Sequence, residues 1–293
     1  MDVKSLLFIG LGIALAIYLI TFIGGGFVRP TLFQQAIGFV TAFFDTLGIG
    51  SFATTTSVYK LRKMVPVKLM PGTLNVGHTL PTITQAFIYT TIVPVESRTL
   101  VLMIAAAVLG SLAGVGVVVR WPRRKIQIGM GLALLAAAAL FLMTQYNVSL
   151  AGGVTLGLSG TRLAIGLAGN FVLGVLMMLG IGLYGPCLLL VSLLGMNPTA
   201  AFPIMMGSCA FLMPFASMRF VRTGTYHRQA AWGLALGAVP AVLIAALLVR
   251  SLPLHAVRWL VIVVVLYTAI NMLVTASGPE TSGDPERVAL QQT

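Results

Sequence analysis

Polar residues along this 293-residue chain are gathered into short clusters, and the stretches between them are almost uninterruptedly apolar. The apolar runs Leu6 to Phe27, Leu100 to Val119, Ile126 to Met143, Ala230 to Val249 and Leu260 to Val274 are each long enough, or nearly so, to cross a hydrocarbon layer of about 30 Å as helices. They lack the strict alternation and regular turn spacing of a membrane barrel. The pattern therefore predicts an all-α polytopic membrane protein. Composition agrees, with 58% hydrophobic residues, 8% charged residues and a mean hydropathy of +1.01, far from soluble domains.

The first run reads as a retained transmembrane helix. Its small-residue triplet Ala14-Leu15-Ala16 sits inside the apolar stretch and not at the polar end where a signal peptide is cut. The last residues, from Ser277 to Thr293, have little to bury and are expected to form a disordered polar tail.

The apolar pattern repeats. Leu-Gly-Ile-Gly occurs at Leu47 to Gly50 and again 132 residues later at Leu179 to Gly182, each time breaking an apolar segment. The same offset pairs Phe39 with Phe171, Met64 with Met196, Pro66 with Pro198, Pro71 with Pro203 and Leu80 with Leu212. The expected organisation is an N-terminal transmembrane helix over 1–30, repeat 1 over 31–145, a Gly/Ser-rich linker over 146–162, repeat 2 over 163–275 and the tail over 276–293. Glycine-broken segments at matching places in two halves are a sequence pointer to a transport site at a repeat interface.

Charge orients the two repeats. In repeat 1 the basic residues lie in the first loop (Lys60, Arg62, Lys63, Lys68) and the third (Arg120, Arg123, Arg124, Lys125), with only Arg98 in the second. Repeat 2 reverses this weighting: its first loop, Asn197 to Ala201, has none, its second has Arg219, Arg222 and Arg228, and its last has Arg250 and Arg258. Matching loops facing opposite sides require an odd number of crossings per repeat. The reading that satisfies this makes each repeat a glycine-broken helical hairpin plus three transmembrane helices, and the two repeats inverted. It gathers 13 of the 18 basic residues on one side, expected to be cytoplasmic, with the N-terminus outside. Full crossings by the broken segments give a poorer split and parallel repeats.

Broken helices at membrane depth expose backbone donors and acceptors, which only protein or a watered cavity can satisfy. Gly48, Gly50, Gly180 and Gly182 are therefore expected to face the interior. After each break a new half-helix is expected, from Ser51 and from about Tyr184, with Pro186 suited to the first turn. Two half-helix N-termini meeting there favour a small anion, because each presents free N–H groups and a partial positive charge. Ser51, Thr54, Thr55 and Tyr184 can add hydroxyl donors, and Gly185 and Cys187 complete the expected substrate-binding set.

Asp45 is the only acidic residue within a predicted span, where a charge costs at least about 2.5 kcal/mol unless paired, hydrated or protonated. It reads either as a proton-coupling carboxylate or as an acceptor for the backbone of the break. His78, beside Asn75 and Thr79, reads either as an anion-binding or proton-relaying group or as a neutral imidazole bonded to a neighbouring helix. Asn170, Ser208 and Cys209 are weaker polar candidates, and Trp121, Tyr146 and Trp259 read as interface anchors.

Other classes fit poorly. The net charge of +12 is explained by topology, so no nucleic-acid partner is expected. Cys187 and Cys209 have neither CxxC spacing nor nearby histidines, so neither a metal nor a disulfide is expected, and no cofactor. A membrane enzyme would need a catalytic set that one intramembrane Asp and scattered histidines at 78, 227 and 255, without HExxH or GxSxG, do not supply.

The second half carries Gly180-Ile181-Gly182, Pro186-Cys187-Leu188 and Gly195-Met196-Asn197-Pro198-Thr199-Ala200-Ala201. In these motifs the chain resembles the sulfite exporter TauE/SafE family, also called the toluene sulfonate uptake permease family. The first half departs from the pattern, with Ser51, Phe52 and Thr54 where glycines and proline are usual. The resemblance implies a secondary transporter of small sulfur-containing anions, such as sulfite, sulfoacetate or other organosulfonates, in the bacterial cytoplasmic (inner) membrane. The partners implied are a small anionic substrate and the bilayer, with protons and a second copy of the chain left open. A passive anion channel and a carrier of non-sulfur carboxylates are the alternatives.

Overall fold

The computed structural model describes residues 3–46, 50–146 and 153–248, together with residues 259, 262–263, 266–267, 269–270, 272–274 and 276 of the final segment. Gly48, residues 147–152 of the linker and the expected tail from 277 lie outside the described residues.

The described chain is helical. α1 (Val3–Gly24) precedes the first repeat, in which α2 (Leu32–Thr46) runs to the break and α3 (Ser51–Leu61) leaves it. A short 3-10 turn (Val67–Leu69) then leads into α4 (Met70–Ile92), α5 (Ser97–Val118) and α6 (Arg123–Gln145). Repeat 2 has the same order: α7 (Gly160–Met177), the break, α8 (Tyr184–Leu193), a 3-10 turn (Pro198–Ala200), α9 (Ala201–Arg222) and α10 (Arg228–Leu248). The described residues from 259 to 276 are helical and stand where α6 stands in repeat 1.

Small motifs repeat too. α3 ends with Lys63 in the left-handed region (φ 52) and the bond Met64 N–H to Tyr59 O, 2.9 Å. α8 ends with Gly195 (φ 86) and Met196 N–H to Val191 O, 3.2 Å. Both are the same left-handed cap, and Lys63 matches Gly195 at the 132-residue offset.

Each broken segment doubles back. At roughly 1.5 Å per residue, α2, α3 and α8 are each too short to cross the bilayer alone. The Arg62 guanidinium at the end of α3 lies over the ring of Phe33 at the start of α2, 5.6 Å from its centroid. In repeat 2, α7 is long and apolar enough to cross, yet α8 packs back on it, with Gly169 seated under Leu190. The Arg162 side chain near the start of α7 reaches Gly195 after the end of α8.

The repeats pack by exchange. The first arm of each hairpin lies against the other repeat's matching helix, α2 on α10 and α5 on α7, while α4 and α9 cross at the centre. Backbones approach closely in both exchanged pairs. A Cβ on Gly110 or Gly174 would fall 2.0 Å from Phe171 O or 2.2 Å from Ala107 O, and one on Gly237 would fall 2.0 Å from Gln35 O. Small residues allow this, and close packing is what holds helices together where lipid removes the hydrophobic drive.

Burial sorts the helices. α1 shows Ile9, Ile13, Ile20 and Ile23 to the outside, as a lipid-facing helix would. α4 buries Thr73, Asn75, His78, Thr79, Thr82 and Gln85, a polar load tolerable only because protein surrounds it. Among the described residues, five helices are long and apolar enough to cross a membrane, and α4 is not one of them.

Loops gather at two ends. Around the start of α4, His227 N–H donates to Thr73 Oγ1 (2.9 Å), Gln229 Nε2 to Arg29 O (3.1 Å) and Trp232 Nε1 to Gly26 O (3.1 Å). The link after α3 thus lies with the loop after α9. At the other end, Glu96 N–H donates to Leu156 O and Asn197 N–H to Thr155 O, both 2.8 Å, so the loop after α4 lies with the link after α8.

Candidate functional site between the hairpin tips

Residues that flank the two breaks meet. A Cβ on Gly182 would lie 3.6 Å from Phe52 Cβ, on the first turn of α3. Left-handed glycines make the reversals: Gly50 has φ 84 and Gly180 has φ 87, values that an L side chain adopts only with strain. They are not repeat mates. Gly182, the mate of Gly50, stays outside the left-handed region, so the last glycine of the tetrapeptide differs between its two copies.

Asp45 ends near its own hairpin partner, and its Oδ1 accepts from Ser51 N–H at 2.6 Å. A carboxylate thus sits on the first amide of α3, where the helix dipole favours negative charge. Of the two readings of Asp45, this contact matches the backbone acceptor. Its other oxygen, Oδ2, accepts from Gln85 Nε2 at 2.9 Å, and the same nitrogen also donates to Thr46 Oγ1 at 3.0 Å. Gln85 Oε1 accepts from the Tyr184 hydroxyl at 2.6 Å. Tyr89 closes the edge, its hydroxyl donating to Thr46 O at 2.8 Å. The result is a continuous buried chain from the α3 N-terminus through Asp45 and Gln85 to the first residue of α8.

The remaining candidates divide. Thr55 Oγ1 and His78 Nε2 are 3.0 Å apart, tying α3 to α4, and Phe52 lies beside the imidazole with ring centroids 5.8 Å apart. Thr54 turns its hydroxyl to its own helix, donating to Ser51 O at 2.9 Å. In this conformation the hydroxyls of Thr54, Thr55 and Tyr184 are thus engaged with protein partners. Cys187 is buried in the second turn of α8, and Gly185 is exposed. Cys209 faces Met177, Sγ to Sδ 3.5 Å. Asn170 acts as glue, donating to Met103 O at 2.7 Å and Ser208 Oγ at 3.0 Å between α7, α5 and α9.

Gln85, Tyr89, Thr82 and Thr46 were not singled out by sequence reasoning. The available signal was a glutamine in the middle of a predicted span; its repeat mate is Ser217, so the duplication gave no second glutamine to notice.

Comparison with curated proteins and with solved structures finds no match. A family model does match, from the third residue of α7 through the second break and on to residue 291. Over its second half, residues 162–291, this chain matches the family Sulfite exporter TauE/SafE, the one its glycine and proline motifs resemble.

Proposed function

We propose that the protein is a secondary transporter that carries small sulfur-containing anions, sulfite or organosulfonates, through a site between the two hairpin tips. The observation that carries this reading is the meeting of Gly182 with Phe52 at the starts of two interior half-helices, within a chain whose second half matches a sulfite exporter family. Gly50, Ser51, Gly180, Gly182 and Tyr184 flank this contact along the two segments and are proposed to line the site. The first N-terminus already carries Asp45, whereas the first turn of α8 has no acidic residue, so α8 is the stronger anion-binding end.

The two repeats are proposed to lie inverted across the membrane. Corresponding links gather at opposite ends, and Arg29, Lys60, Arg62, Lys63, Lys68, Arg219, Arg222 and Arg228 fall with the end expected to be cytoplasmic. Inversion places equivalent hairpins at opposite faces of one site, which suits alternating exposure.

Flux of labelled sulfite in proteoliposomes tests the reading. Gly182→Ala adds a Cβ at ordinary contact distance and is expected to retain transport, while Gly182→Leu fills the meeting point and is expected to abolish it. Undiminished flux in Gly182→Leu removes the site assignment. Saturation and counterflow are expected for a carrier, and their absence would favour the channel.

A further inference from the structure

Gln85 occupies an unusual position in the buried chain. Its amide uses both ends, Nε2 toward Asp45 and Thr46 and Oε1 toward Tyr184, so it is the only described link between the carboxylate of the first hairpin and the phenol of the second. An ionised carboxylate only accepts, which fixes the amide with its nitrogen toward Asp45. That orientation turns the carbonyl oxygen toward Tyr184 and leaves the phenol as donor.

Adding a proton to Asp45 Oδ2 reverses every step. The acid becomes a donor and faces a second donor, Gln85 Nε2, and that contact is relieved by a half-turn of the amide. Asp45 then donates to Gln85 Oε1, and Gln85 Nε2 donates to the Tyr184 oxygen. The Thr46 hydroxyl accepts from Gln85 while its own proton goes to Ala42 O at 2.8 Å, and in the rotated state it turns that proton to Gln85 Oε1. What changes is the phenol proton: with its oxygen accepting from Gln85, the O–H is no longer held by the amide.

We propose that Gln85 is the coupling residue of the transporter, an amide whose rotation converts proton binding at Asp45 into a free hydroxyl donor at Tyr184 for the substrate anion. This rests on the site reading above. Proton and anion then bind as a pair: the proton rests on Asp45, the anion takes the Tyr184 O–H and the α8 N-terminus, and neither bond is made as well without the other. No covalent bond changes, and each proton stays on its oxygen throughout the amide rotation.

The groups facing Asp45 allow this assignment. Tyr89 comes from α4, Tyr184 from α8 and Cys209 from α9. α10, packed along α2, has no ionisable side chain beyond Arg228 at its first residue. On α3, Tyr59 and Lys60 lie at the far end, two to three turns from Ser51. No described cation pairs with Asp45, so its charge is balanced by hydrogen bonds alone.

The test uses the full chain in detergent with methanesulfonate, an anion whose own charge does not change between mildly acid and mildly alkaline pH. Binding is measured by calorimetry at several pH values in buffers of different ionisation enthalpy, alongside the infrared difference spectrum on binding. Wild type is expected to take up about one proton per anion, to bind up to about tenfold more tightly per pH unit lowered above the coupling pKa, and to show a protonated-carboxyl band. Asp45→Asn, whose amide donates as the protonated acid does, is expected to bind at the acid-form affinity at every pH, without the band. Gln85→Leu, or Gln85→Met if the first does not fold, is expected to keep binding and lose proton uptake. Proton uptake retained in the Gln85 variants, or binding by wild type with no uptake, overturns the relay and leaves the site reading standing. Absence of binding by wild type to both methanesulfonate and sulfite overturns the site reading and the relay together.

Discussion

The hydroxyl of Tyr184, the first residue of α8, donates to Gln85 Oε1 on α4 at 2.6 Å, joining side chains 99 positions apart and in different repeats. Through Gln85 the contact continues to Asp45 and to Ser51 N–H, so the tips of both hairpins share one hydrogen-bonded structure. Such buried networks stabilise when fully satisfied and are costly when one member is removed.

Tyr184→Phe deletes the donor and leaves Gln85 Oε1 buried without it. We expect a loss of about 1–3 kcal/mol of stability, read as a lower unfolding temperature in detergent. The same variant should raise the KM for sulfite more than it lowers kcat, because the phenol is assigned to binding. Unchanged transport with lowered stability would reduce Tyr184 to a structural role.

Lys63 holds a left-handed cap that its mate, Gly195, holds without a side chain. Lys63→Gly is expected to stabilise the protein by about 1 kcal/mol by relieving the Cβ clash. Gly195→Ala should do the reverse by a similar amount. Thermal unfolding of the two variants checks both signs.

Gly110 and Gly174 seat α5 against α7 with no room for a Cβ. Alanine at either position has to push backbones apart, and we expect a cost of about 1–3 kcal/mol or more. Gly12 and Gly116 meet nothing within 4 Å, so alanine there is expected to be tolerated. Expression and unfolding temperature of the four variants form the comparison.

The proposed inversion has a sided consequence. Arg62 and Thr199 are exposed and belong to equivalent links of the two repeats. With Cys187 and Cys209 replaced by Ala, Arg62→Cys should react with an impermeant maleimide only from the cytoplasmic face and Thr199→Cys only from the opposite face. Labelling of both from one side would establish parallel repeats.

Much of the fold could be read along the chain. Apolar length placed α1, α5, α6 and α10, and the offset of 132 residues anticipated that α2 to α6 would be followed by the same order of elements in α7 to α10 and the helical residues of 259–276. The starts of α3 at Ser51 and α8 at Tyr184 followed from the glycines, since a break in one segment must begin the next. The site was less legible. Thr54 and Thr55 are hydroxyl-bearing, and sequence directed them at an anion, yet one bonds its own helix and the other bonds His78. A helix of polar residues such as α4 falls below the hydropathy of a span, because hydropathy counts each residue as if lipid surrounded it.

The sequence by itself determined the order of the described helices, the duplication and the places where the chain breaks. Each of these depends on properties a residue carries locally: apolar area, the freedom of glycine, the fixed φ of proline. Tertiary structure alone decided that Gln85 would stand between Asp45 and Tyr184, and that α2 would lie on α10 while α5 lies on α7. A buried polar group must find a partner, but which one it finds depends on how helices far apart in sequence are packed, and a one-dimensional pattern does not hold that distance.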